Sequence, residues 1–72
     1  MNINQYKVLE IRSSKGIYKL SHPAEIIDEG SFYRIDGTYI YDKHKIKSIE
    51  IDHDKVTIRM SDDTVVLTVT KR

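Results

Sequence analysis

The residues of this 72-residue chain that could do chemistry are few, and they fall into three groups. The first is His22, His44 and His53, with Asp52-His53-Asp54 as the densest local set of metal-ligand types. A zinc site needs three or four donors converging on one point. Neighbours on a tight turn point in different directions, and no two histidines stand at ligand spacing, so this run reads as a polar hairpin tip. The adjacent acids Asp62-Asp63 could share acid–base work only in a cleft that separates their pKa values. In an exposed turn they are solvated carboxylates.

Gly16, Gly30 and Gly37 are the only glycines, and no phosphate-cradling loop can be written from them. There is no cysteine and no Gly-x-Ser-x-Gly, so covalent catalysis lacks a nucleophile beside a positioned base. The expectation is therefore a chain that is not an enzyme, with no catalytic residue, no metal and no cofactor.

The second group is Phe32, Arg34, Tyr39 and Tyr41, and the third is the basic run Lys43, His44, Lys45 and Lys47. Rings beside a cation on a strand surface are what single-stranded nucleic-acid binders use, with bases stacking on the rings and cations tracking phosphate. The same rings could be core in a twisted sheet, or could pack on a protein partner, since aromatics and Arg are enriched at interfaces. A net charge of +1 gives no global pull towards nucleic acid and favours the protein-facing readings. The lysines also have a plain explanation, a solvated strand entrance that discourages edge-to-edge pairing.

The elements that must position these side chains are strands. Period-two alternation broken by turn residues marks antiparallel hairpins. The clearest case is residues 46–52, 55–60 and 64–70. A loop at His53-Asp54 pairs Ile51 with Val56, Ile49 with Ile58, Glu50 with Thr57 and Ser48 with Arg59. A loop at Asp62-Asp63 pairs Met60 with Val65, Ile58 with Leu67 and Val56 with Val69. One face is then almost wholly apolar. A one-residue slip would invert a whole strand, so the pattern pins the register to that extent, but it does not exclude a two-residue slip with a longer loop.

At the other end, residues 5–12 and 17–21 flank Ser13-Ser14-Lys15-Gly16, pairing Leu9 with Leu20, Glu10 with Lys19 and Ile11 with Tyr18. Asp36-Gly37 is a type I′ dipeptide between residues 31–35 and 38–41. A two-residue loop there sets Arg34 across from Tyr39 and Phe32 across from Tyr41, on one shared face. In the following strand, Lys45 and Lys47 fall on one side, continuous with Ile49 and Ile51. Residues 21–30 fit either a short helical turn, capped by Ser21 with Pro23 in its first turn and Gly30 past its end, or a short edge strand. The helical turn is the preferred reading.

The fold expected is all-β: a small antiparallel meander forming a strongly bent sheet or small barrel of six or seven strands, with at most one short helical turn near residues 22–28. Residues 1–72 read as a single β domain. No apolar run reaches the ~18 residues of a membrane span, and the first residues lack a signal-peptide pattern. A cytoplasmic chain with no membrane partner is expected. The leading functional expectation is a non-catalytic protein-interaction module, a small regulator or inhibitor that self-associates as a homo-oligomer. The alternative is a single-stranded nucleic-acid-binding β-barrel. Both use Phe32, Arg34, Tyr39, Tyr41, Lys43, Lys45 and Lys47.

Overall fold

Alternating apolar side chains make one continuous sheet in the computed structural model, which describes residues 3–71. Met1, Asn2 and Arg72, part of the domain read over residues 1–72, lie outside the described residues. The strands are β1 (Tyr6–Ser13), β2 (Gly16–Asp28), β3 (Phe32–Ile35), β4 (Tyr39–Asp42), β5 (Ile46–Asp52), β6 (Lys55–Met60) and β7 (Thr64–Lys71). They stand in the order β4-β3-β2-β1-β7-β6-β5, all neighbours antiparallel. The sheet curls strongly into a half-barrel, with β4 and β5 at its two edges. The helical content of the described residues is two lone 3₁₀ turns, Ile3–Gln5 and Lys43–Lys45.

The concave face holds the core. Val8, Ile11, Ile35, Val56, Ile58, Val65 and Leu67 are essentially fully buried. Each such side chain contributes roughly 1.5–3 kcal/mol by leaving water. Because side chains two apart share a face, β6 and β7 present Val56, Ile58, Val65, Leu67 and Val69 inward and their polar neighbours outward. Half-buried Tyr33, Tyr39, Tyr41, Ile49, Ile51 and Met60 pack around that centre.

The β5–β6 hairpin has the expected register, with Ile51 opposite Val56 and Ile49 opposite Ile58. Its loop is His53-Asp54, and His53 takes a left-handed φ of 52°. The β6–β7 register differs by two residues from the expected one. Ile58 faces Val65 and Val56 faces Leu67, and the Met60 N–H donates to the Asp63 carbonyl at 2.8 Å. The loop is thus Ser61-Asp62. A two-residue shift leaves every side chain on its expected face, so alternation could not distinguish the two.

The segment 22–28 is strand, not a helical turn. β2 runs through it, pairing Ala24 and Glu25 with β1 and then Ile26, Ile27 and Asp28 with β3. Burial of Ala24 and Ile26 on the concave side, with Glu25 and Ile27 outside, wins over the helix-start signals of Ser21 and Pro23. Those signals mark an irregularity instead. The pairs Glu10–Lys19 and Val8–Ala24 leave Leu9 alone opposite residues 20–23. Pro23, with no N–H to give a ladder, sits in that bulge. Leu9 therefore does not face Leu20 in a regular pair. It is 38% exposed, and Val8 takes the core position. Glu10–Lys19 and Ile11–Tyr18 pair as expected.

Candidate functional site

Asp36-Gly37 forms the turn the sequence calls for, with φ of 55° and 67° at the two residues. The Thr38 N–H closes it on the Ile35 carbonyl at 3.2 Å. The ladder, however, pairs Ile35 with Tyr39, not with Thr38, and continues Arg34–Ile40, Tyr33–Tyr41, Phe32–Asp42. Thr38 is an extra residue, and that single insertion inverts β4 relative to the expected register. Tyr39 and Tyr41 turn to the concave face beside Tyr33 and Ile35. Ile40 turns outward beside Arg34.

The expected shared face of Phe32, Arg34, Tyr39 and Tyr41 is therefore not formed. Phe32 and Arg34 are on the convex side, where Arg34 forms an ion pair with Glu29. Tyr39 and Tyr41 are on the concave side, packed against the core. The lysines are also divided. Lys43 Nζ lies 2.7 Å from Asp28 Oδ1 and 4.7 Å from the centre of the Tyr33 ring. That contact holds the Lys43 ammonium pKa up and the Asp28 carboxyl pKa down, the hydrogen bond being the main cause of each. Lys45 Nζ is 3.7 Å from Asp62 Oδ2. Lys45 is in the 3₁₀ turn, where the Asp42 carboxylate caps the His44 N–H at 2.9 Å. Lys47 is exposed at a register shift in β5, so it does not extend the core face as expected.

What the curl does bring together is a cleft of about 500 Å³ alongside β4. Tyr18, Tyr39 and Tyr41 line one part, with the Tyr18 and Tyr39 ring centres 5.6 Å apart and tilted by 41°. Met60 and Val65 supply apolar lining, and Lys15, Lys45, Asp62 and Asp63 bring both signs of charge. The far wall is fixed by a long-range link. Asp63 Oδ2 accepts from the Ser14 hydroxyl at 2.8 Å, and Asp63 Oδ1 accepts from the Thr64 N–H at 2.7 Å. The Ser14 bond is the main reason that the Asp63 carboxyl pKa is lowered. Burial pushes the Tyr41 phenol up to about 12, with the neighbouring Tyr39 adding to it. At neutral pH the Tyr41 ring is therefore an uncharged stacking and hydrogen-bonding surface.

The backbone beside this cleft is as informative as its side chains. The Lys43 N–H donates to the Ser31 carbonyl at 3.0 Å. In an antiparallel ladder the paired groups alternate, so Tyr39 and Tyr41 direct their N–H and C=O towards β3. Ile40 directs its own towards the free edge, and its side chain is 59% exposed. Tyr18 was legible in the sequence only as a strand residue paired with Ile11. Its place at the cleft depends on the curl, which no local pattern encodes.

Among the described residues, no three His, Asp or Glu side chains converge in a way that could hold a metal ion. His53 stands at a tip with its Nε2 3.7 Å from Asp52 Oδ1, both side chains almost fully exposed. Compared with family models, with curated proteins and with solved structures, the chain matches none.

Proposed function

We propose that this protein is a non-catalytic protein-interaction module that takes an extended segment of a partner along the free edge of β4. The observation that carries this reading is Ile40, whose backbone N–H and C=O point out of the sheet beside the tyrosine cleft. Unpaired edge groups next to a side-chain pocket are the two parts of strand addition: main-chain hydrogen bonds give affinity, and pockets for alternate side chains give specificity. A guest residue opposite Ile40 exchanges two backbone hydrogen bonds with it. The guest's flanking residues then point inward, opposite Tyr39 and Tyr41. The motif expected is apolar or aromatic, any residue, apolar or aromatic. The nucleic-acid reading has less support, since Tyr39 and Tyr41 lie on the opposite side of the hairpin from Phe32 and Arg34, and Lys43 and Lys45 already have acid partners.

The test is selection of random nine-residue peptides on the purified protein, followed by binding measurements on Ile40→Pro. Proline on an edge strand loses only the outward N–H and leaves the β3–β4 ladder intact. Enriched peptides should show the alternating motif and should bind Ile40→Pro at least tenfold more weakly. Peptides indifferent to that substitution, or no enrichment at all, would refute the reading.

A further inference from the structure

Resting on the edge-docking reading, we infer that the strand received by β4 is β4 of a second copy of this chain. Three observations converge on this occupant. The first is that the sequence of the edge is its own reverse: Tyr39-Ile40-Tyr41 reads the same in both directions. Two antiparallel copies related by a two-fold axis through the Ile40 pair match Ile40 with Ile40 and each Tyr39 with the other copy's Tyr41. Thr38 then meets Asp42 at each end, two polar residues that place no like charges against each other.

The second is the hydrogen-bonding phase. A two-fold axis at Ile40 requires Ile40 to carry the outward N–H and C=O, and the ladder to β3 leaves those groups of Ile40 pointing outward. An axis at Tyr39 or Tyr41 would place inward-bonded residues at the centre and would also set Ile40 against Thr38 or Asp42. The third is facing. A two-fold axis perpendicular to the sheet keeps each side chain on its own side. Ile40, the most exposed large apolar side chain of the described residues, would be covered by its own equivalent. The tyrosines of each copy would meet at the mouth of the other's cleft. A net charge of +1 per chain sets little repulsion against the pairing.

The contact is small. A four-residue edge falls towards the low end of specific interfaces, which makes the dimer weak and concentration-dependent, not obligate. Joining the edges would yield one sheet continuous across both copies.

The chain contains no cysteine, so a single introduced one reports on this geometry without interference. Hydrogen-bonded antiparallel partners stand about 5.5 Å apart at Cα, within disulfide reach. Ile40→Cys should therefore form a disulfide-linked dimer on mild oxidation at least tenfold faster than Lys19→Cys, an exposed position on β2. Sedimentation velocity should show the unmodified chain shifting from monomer to dimer with rising concentration, and Ile40→Pro remaining monomeric. Circular dichroism of Ile40→Pro, expected to match the unmodified chain, separates lost pairing from lost folding. A second variant, Ile40→Lys, should also be monomeric by charge repulsion at the axis. An unmodified chain that stays monomeric at millimolar concentration overturns the inference. So does a dimer that survives both Ile40 substitutions, or equal cross-linking rates at positions 40 and 19. Should the chain stay monomeric yet bind selected peptides in an Ile40→Pro-sensitive way, self-pairing fails while edge docking stands.

Discussion

Ser14 and Asp63, 49 positions apart in the chain, are joined by a hydroxyl–carboxylate hydrogen bond of 2.8 Å that ties the β1–β2 turn to the β6–β7 turn. Neither turn is held to the other by the sheet ladder at that point. With the Ser14 N–H, which donates to Asp63 Oδ1 at 3.4 Å, the bond extends the β1–β7 ladder beyond Arg12–Val66 into the wall of the cleft opposite β4.

Replacing Ser14 with Ala should bring the Asp63 pKa back up towards that of an ordinary carboxyl, because the hydroxyl is the first cause of its depression. Since the folded-state pKa lies below the unfolded one, the carboxylate's contribution is present above the unfolded value and disappears as pH falls through the folded one. The stability curves of the two proteins should differ at neutral pH and converge in acid. Carboxyl carbon chemical shifts followed through an acid titration measure the pKa directly.

Tyr41 predicts the opposite limb of the pH profile. Its phenol is held up to about 12, so the folded chain favours the neutral form. That preference is fully present below about 10, where the phenol is neutral in the unfolded chain as well. It is lost as pH rises through 10 towards 12, the unfolded state ionising first. Absorbance at the tyrosinate band should show a late-ionising component that is lost in Tyr41→Phe.

Leu67→Ala removes a fully buried side chain at the centre of the core. A loss of about 2–5 kcal/mol is expected for such a truncation. Chains of this length have only roughly 4–11 kcal/mol in total, so the urea midpoint should fall by a large fraction. Lys19→Ala on the exposed face should shift it by no more than about 0.5 kcal/mol.

Gly37→Ala tests the turn that inverts β4. A Cβ at that position meets no atom within 4 Å, so the cost is confined to backbone at φ 67°. A left-handed non-glycine residue costs roughly 1–2 kcal/mol. The expected outcome in urea is a lowered midpoint with an unchanged slope. A larger loss with a changed slope would indicate that the β3–β4 register had moved.

Facing was legible in the sequence wherever strands pair by strict alternation. Ile49, Ile51, Val56, Ile58, Val65 and Leu67 lie on the concave side as their spacing requires. Register was less so, and the errors differ in their effect. The Ser61-Asp62 loop moves β7 by two residues and leaves every face intact. The extra Thr38 moves β4 by one, which is why Arg34 stands across from Ile40 and not from Tyr39. Asp36-Gly37 announces a turn but does not say whether a bulged residue follows it. The cleft itself could not be read at all, because Tyr18, Tyr41 and Asp63 meet only through curling of the whole sheet. Pro23 misled for a related reason: its missing N–H suits a helix start and a strand bulge equally well.

The surplus at residues 20–23 has a reach beyond β2. β4 hangs from β3, and β3 from the far half of β2, which pairs with β1 again at Ala24 and Glu25, so those four positions set where the β3–β4 hairpin leaves the main sheet while the 3₁₀ turn tethers its other end. Trimming or padding that joint would reset the gap between β4 and the Ser14–Asp63 clasp without altering a single residue that borders it. The aperture is dimensioned at a distance, like a hinge plate that decides how far a door stands ajar.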